Sequence, residues 1–219
     1  MPPPGLRGGR TRLLVRPGLA EFAAAWIGER SRREGEFRVA LAGGSTPRAV
    51  YERLSASPLD WSRWHVWWSD ERVVPPDHPD SNERMAREAL LDRVPVPETQ
   101  LHPLRSQRVE LPERFHLVLL GIGPDGHCAS LFPSHPALEA AEPIAYVPRP
   151  GLPPPHPRLT FTYTVLNAAD TAAFLVSGAG KREVVERILG GDTALPAARV
   201  QAAETVVLAD PEAAPSGAA

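Results

Sequence analysis

The chain has 219 residues, 42% of them hydrophobic, and a formal net charge of −2 at pH 7. That length supports a substantial core, and the near-neutral balance offers no basic surface for nucleic acid. No apolar run reaches the about 20 residues of a membrane span, and the single cysteine, Cys128, excludes an internal disulfide and points to a reducing compartment, the cytoplasm by default.

Residues 1–10, MPPPGLRGGR, lack the apolar stretch of a signal peptide and are expected to form a disordered tail. Residues 11–210 are expected to form one domain, and the alanine-rich residues 211–219 to fray. Residues 13–15 make a short first strand. From 17 to 34 the apolar positions Leu19, Phe22, Ala23, Trp26 and Ile27 follow helical spacing, and Gly35 suits the position past a helix end.

A second strand is predicted over 37–41, followed by a turn of Gly43, Gly44, Ser45 and Thr46. Thr46 is expected to cap the next helix, with Pro47 at its first position. A helix start leaves backbone N–H groups unpaired and carries partial positive charge, which suits a phosphate. The tetrapeptide is neither a P-loop nor a dinucleotide fingerprint. A third strand, 66–68, ends in Ser69, Asp70, Glu71 and Arg72. Asp70 and Arg72 are assigned to a site, while Asp80 and Glu83 are expected to cap a helix running to about Arg93. Residues 94–113 look like a polar linker.

The run 117–120 is too short for a helix and apolar throughout, as a strand buried on both faces would be. Gly121 and Gly123 let the chain turn sharply after it, and Asp125, Gly126 and His127 follow. Cys128 adjoins His127, but neighbours on a turn point apart, so no thiol nucleophile is expected. His135 and the remote His78 make no zinc spacing with it. The proline-dense 148–157 reads as an extended surface loop. Arg158 then opens a strand in which Leu159, Phe161 and Tyr163 alternate with threonines. A strand over 171–176 leads into a Gly-Ala-Gly-Lys turn, a helix from Lys181 to Leu189 and a last strand over 205–209. Lys181 is the one lysine among 24 basic residues, a compact point charge in a chain that otherwise uses arginine.

Strands alternate with helices throughout, which implies an α/β fold with a mainly parallel sheet and helices on both faces. Loops at the carboxyl ends of such strands converge on one edge. That edge would gather an anion cradle, two arginines, a lysine, carboxylates and a histidine.

Four segments carry a family likeness. GIGPDGHCASLFP from Gly121 resembles the signature of the 6-phosphogluconolactonases, and its core, GxGxDGH, is shared with the glucosamine-6-phosphate deaminases. LAGGSTPRAVYERL from Leu41, WSDERVVPPDHPDSNERMA from Trp68 and PRLTFTYTVLNAA from Pro157 fit the same family in the same order. The resemblance implies a Rossmann-like open sheet and hydrolysis of 6-phospho-D-glucono-1,5-lactone to 6-phosphogluconate, with no cofactor and no metal. The implied general base is His127, with Asp125 and Asp70 as its carboxylate partners. The implied substrate contacts are Gly43, Gly44, Ser45, Thr46, Arg72, Arg158 and Lys181. The implied partner is a small phosphorylated sugar lactone, handled by a monomer or small homo-oligomer. Two departures matter: the lactonase family usually has threonine at Cys128, and the deaminases carry a glutamate where this chain has Phe132. A deaminase-like enzyme and a non-catalytic sugar-phosphate sensor are the alternatives.

Overall fold

The computed structural model describes residues 11–151 and 153–217, so the expected N-terminal tail lies outside the described residues. Among them are nine strands and five α-helices. They run β1 (Arg12–Val15), α1 (Leu19–Arg33), β2 (Phe37–Leu41), α2 (Ser45–Leu54), β3 (Trp64–Trp68), β4 (Asp70–Arg72) and α3 (Asn82–Ala89). Then come β5 (Leu117–Leu120), β6 (Ile144–Val147), β7 (Arg158–Phe161), α4 (Tyr163–Leu166), β8 (Thr171–Val176), α5 (Arg182–Leu189) and β9 (Glu204–Ala209).

Six of these strands form one parallel sheet in the order β1-β9-β8-β5-β2-β3, flanked by helices. Every residue of β5 and β8 is buried, which is why β5, and β8 after Thr171, are continuous apolar runs without alternation. Helices α1, α2 and α5 each turn an apolar stripe inward: Ala23, Trp26 and Ile27; Val50, Tyr51 and Leu54; Val184, Val185 and Ile188. The chain leaves β2 towards β3 on one side and leaves β5 towards β8 on the other. The carboxyl ends of β2 and β5 therefore flank the point where strand order reverses, and a crevice opens there. The two loops touch: a Cβ added at Gly121 would lie 3.9 Å from the Gly43 carbonyl oxygen.

A second, antiparallel sheet, β4-β7-β6, is absent from the sequence expectation. Three-residue β4 is wholly polar and shows no period, so nothing in its sequence marks a strand. Its pairing with β7 sets Arg72 directly opposite Arg158. Ser69 joins the sheets, donating its N–H to Leu41 O at 2.8 Å and accepting from Phe161 N–H at 2.8 Å.

Several local expectations are corrected. Helix α2 starts at Ser45 with Gly44 as its cap, at φ 107, a region that favours glycine; neither Thr46 nor Pro47 opens it. The cap of α3 is Ser81, whose hydroxyl accepts from Arg84 N–H, and the helix stops at Ala89. Asp80 instead pairs with His156, and Glu83 with Arg87 and Arg105. Strand β7 stops at Phe161, because Thr162 turns its hydroxyl to the Glu142 carbonyl and starts α4. The linker-like stretch lies along the edge of β3: Leu101 bridges Val66, His102 N–H donates to Val66 O, and Leu104 is buried. Within the alanine-rich end, Pro211 and Glu212 are exposed while Ala213 and Ala214 are buried. Ala213 N–H donates to Asp210, whose carboxylate also accepts from Gly178 N–H in the turn before Lys181.

Tyr51 fixes the first site loop from below. Its buried hydroxyl accepts from Ala42 N–H at 2.8 Å and donates to Ala42 O at 3.0 Å. Tyr51→Phe strands both groups, at a cost of about 1–3 kcal/mol each where no water replaces the hydroxyl. Urea unfolding of the variant is expected to show a clearly lower midpoint; an unchanged midpoint contradicts the anchoring role.

Candidate active site

The turn after β5 is built around a hydrogen-bonded pair. Asp125 Oδ1 lies 2.6 Å from His127 Nδ1 and also accepts the His127 backbone N–H at 3.2 Å. Backbone bonds from Gly123 N–H to His127 O (2.8 Å) and from Gly126 N–H to Gly123 O (3.1 Å) fold the loop on itself. Gly123 must be glycine, because a Cβ there would sit 2.0 Å from His127 Nδ1 and 2.6 Å from Asp125 Oδ1. The pair therefore lies over bare backbone. The imidazole packs at 4.6 Å from the ring of Phe132 and keeps 22% of its surface exposed, so it is held yet reachable.

His127 lines a cavity of about 410 Å³ together with Gly43, Gly44, Asp70, Arg72, Gly121, Ser130, Phe132 and Arg158. A smaller cleft of about 220 Å³ shares the walls Gly43, Gly44, Gly121 and Ile122 and adds Ser45, Thr46 and Lys181. Every residue expected at the site thus lines one of two adjoining spaces, except Asp125, which stands behind His127. The division is a finding. Arg72 and Arg158 share the larger space with His127, whereas Lys181 shares the smaller one with the start of α2.

The two arginines are held by backbone carbonyls. Arg72 Nη1 donates to Asp80 O at 2.6 Å, and its buried Nε has no partner. Arg158 donates from Nε to His156 O (3.1 Å) and from Nη2 to Pro154 O (2.8 Å). Burial, reinforced by the neighbouring Arg72, lowers the pKa of Arg158. Two apposed guanidiniums with spare donors are arranged for an anion or a carbonyl oxygen. Lys181 Nζ donates to Ile122 O at 2.7 Å. Burial lowers its pKa, against the opposing pull of Asp125.

Asp125, not Asp70, is the carboxylate that touches His127. Asp70 is buried, accepting from the Ser130 hydroxyl at 2.6 Å and from Asn82 Nδ2 at 3.2 Å. It ties the segment after His127 to β4 and α3. Glu71 beside it is also buried and accepts from the backbone N–H groups of Arg72, Asn82 and Glu83 and from the Ser81 hydroxyl. Desolvation raises the Glu71 pKa against those backbone donors. Asn82 fills the space where a Cβ on Gly43 would lie, 1.9 Å from its Oδ1. Ser130, Asn82 and Glu71 were not singled out by sequence. All three sit inside the motif segments, but their roles depend on β4, which the sequence does not announce.

Among the described residues, His78, Asp80 and His156 form a cluster of metal-ligand type, outside the lining of either space. No helix of the described residues is long and apolar enough to cross a membrane.

Cys128 is fully buried, and desolvation, helped by Asp70, drives its thiol pKa far up. A thiol in that state neither attacks nor reacts. A chromogenic disulfide reagent at neutral pH is expected to leave the native protein untouched and to titrate one thiol after denaturation. Rapid reaction of the native protein contradicts this.

Comparison with known proteins identifies the family. Residues 14–208 match the family described as glucosamine-6-phosphate isomerases/6-phosphogluconolactonase. A 6-phosphogluconolactonase of Nostoc sp. is 40% identical, over 78% of this chain and 80% of the relative. One from Synechocystis sp. is 42% identical, over 70% of this chain and 72% of the relative. The crystal structure of 6-phosphogluconolactonase from Thermotoga maritima superposes with a TM-score of 0.81 at 31% identity, covering 91% of this chain and 99% of that one. The chain belongs to the glucosamine-6-phosphate isomerase/6-phosphogluconolactonase family.

Proposed function

We propose that this protein hydrolyses 6-phospho-D-glucono-1,5-lactone to 6-phosphogluconate, the lactone-opening step of the oxidative pentose phosphate route. The observation that carries the reading is His127 on the cavity wall, hydrogen-bonded to Asp125. A carboxylate on Nδ1 holds the proton on that nitrogen and leaves the Nε2 lone pair as acceptor. Nε2 takes a proton from water as the water oxygen bonds to the lactone carbonyl carbon. The carbonyl electrons move to oxygen, and the tetrahedral intermediate collapses with cleavage of the ring C–O bond. The imidazolium returns its proton to the departing ring oxygen, which leaves as a hydroxyl. Asp125 stabilises the imidazolium between the two transfers. Arg72 and Arg158, on the same cavity as His127, face the oxygen on which negative charge develops.

The phosphate belongs in the smaller cleft, on the free N–H groups at the start of α2, between Ser45, Thr46 and Lys181. Arg158 then acts on the lactone end rather than on the phosphate. The phosphate and the lactone ring of one substrate thereby span the two adjoining spaces. Asp70 positions Ser130 and β4 and does not itself move protons. The lone unpaired thiol suits a reducing compartment, the cytoplasm.

A deaminase reading fares worse at Phe132. The position that would carry an acid for sugar ring opening instead packs an apolar ring against His127. A sensor has no use for a histidine held in one tautomer beside a carboxylate.

Chelator-treated protein is expected to open fresh 6-phosphogluconolactone faster than the spontaneous reaction in a pH-stat. Failure to exceed that background rejects the reading. His127→Ala should lower kcat by about 10²–10⁴ with product binding largely retained; wild-type turnover by the variant rejects His127 as the base. Lys181→Ala should raise KM for the phosphorylated lactone and leave an unphosphorylated gluconolactone little affected. Equal losses on both would remove Lys181 from the phosphate site.

A further inference from the structure

Two loops that hold the cavity's arginines also carry the His78, Asp80 and His156 cluster. His78 and Asp80 lie between β4 and α3, and His156 lies just before β7, so 76 residues of sequence separate Asp80 from His156. His156 Nε2 stands 2.9 Å from Asp80 Oδ2, and His78 Nδ1 stands 3.9 Å from the same oxygen. The two imidazole rings are 5.1 Å apart at 81°. All three ligand atoms fall within 4.8 Å of one another. Bonds of about 2.0–2.1 Å in a tetrahedral site set ligand atoms about 3.3 Å apart. The Asp80–His156 separation is already inside that limit. From 3.9 Å, His78 has about 0.6 Å to close towards Asp80, and the two imidazole nitrogens, within 4.8 Å of each other, draw together as well.

We propose that His78, Asp80 and His156 bind one divalent ion of the zinc class, outside the reaction cavity. Two imidazole nitrogens and one carboxylate oxygen suit Zn²⁺, Co²⁺ or Ni²⁺; Ca²⁺ and Mg²⁺ want a shell of oxygens. The three side chains are about one third exposed, so an ion has an entry path and water can complete its shell. His78 Nδ1 accepts the Asp80 backbone N–H at 3.1 Å, so coordination by this nitrogen exchanges that hydrogen bond for the bond to the ion.

The site acts on the cavity through the backbone. Asp80 O accepts from Arg72, and His156 O accepts from Arg158. Two of the three metal ligands thus belong to residues whose carbonyls fix the apposed arginines. A bound ion joins the loop after β4 to the loop before β7 and clamps both guanidiniums. It takes no part in the proton transfers at His127.

The test is a titration of the full, chelator-treated chain with Zn²⁺ alone by calorimetry, with Co²⁺ absorption as a second reading. The expected result is one tightly bound ion per chain, not displaced by excess Mg²⁺, that raises Tm. His78→Ala and His156→Ala should each weaken binding by about tenfold or more and abolish the Tm rise, while His127→Ala keeps both. Circular dichroism identifies any variant that fails to fold, and His78→Gln, a smaller disturbance of the same loop, then decides. Absence of saturable Zn²⁺ binding overturns the proposal. So does binding that survives loss of His78 and His156 but is lost with His127, which would put the ion at the reaction centre.

Discussion

One hydrogen bond sets the character of this molecule: Asp125 Oδ1 to His127 Nδ1, 2.6 Å. A proton held on Nδ1 by this contact leaves Nε2 as the acceptor that the proposed reaction requires. The bond exists because the loop after β5 doubles back with no side chain at Gly123. That loop stands where it does because β5 is buried on every side and exits beside β2 at the reversal of strand order. The sheet, the glycine and the pair form one causal sequence.

The rest of the site depends on buried polar contacts below its floor. Asp70 and Glu71 are carboxylates in a buried strand, a costly arrangement unless each finds donors. Asp70 finds Ser130 and Asn82, and Glu71 finds three backbone N–H groups and a hydroxyl. These contacts join the small antiparallel sheet to α3 and to the segment after His127. They also bring Arg72 opposite Arg158 and both against the cavity. Charge next to the reaction centre is thereby placed by backbone pairing, not by flexible side chains alone.

The parallel sheet is legible in the sequence because its strands are short, mostly apolar runs, and β2, β5 and β8 run into glycine turns. The two site loops were legible for the same reason, since glycine, aspartate and histidine stand at strand ends. Arg72 and Arg158 were found as strand-end charges, but the division of the site into two spaces was not. That division depends on how the small sheet sits, and β4 has no periodic signal. The spacing of Asp80 to Glu83 fits a helix cap; the actual cap is the neighbouring Ser81, and Asp80 pairs with His156. His78 looked isolated for a related reason: its partner His156 arrives through strand pairing far along the chain.

Nitrogen NMR of His127 in the full chain tests the central claim most directly, because it reads the proton on each ring nitrogen. In the neutral imidazole, the account predicts a protonated Nδ1, hydrogen-bonded to Asp125, and a bare Nε2. Asp125→Asn should disturb that preference. A neutral His127 carrying its proton on Nε2 in the wild-type protein would leave no acceptor facing the cavity and would contradict the account.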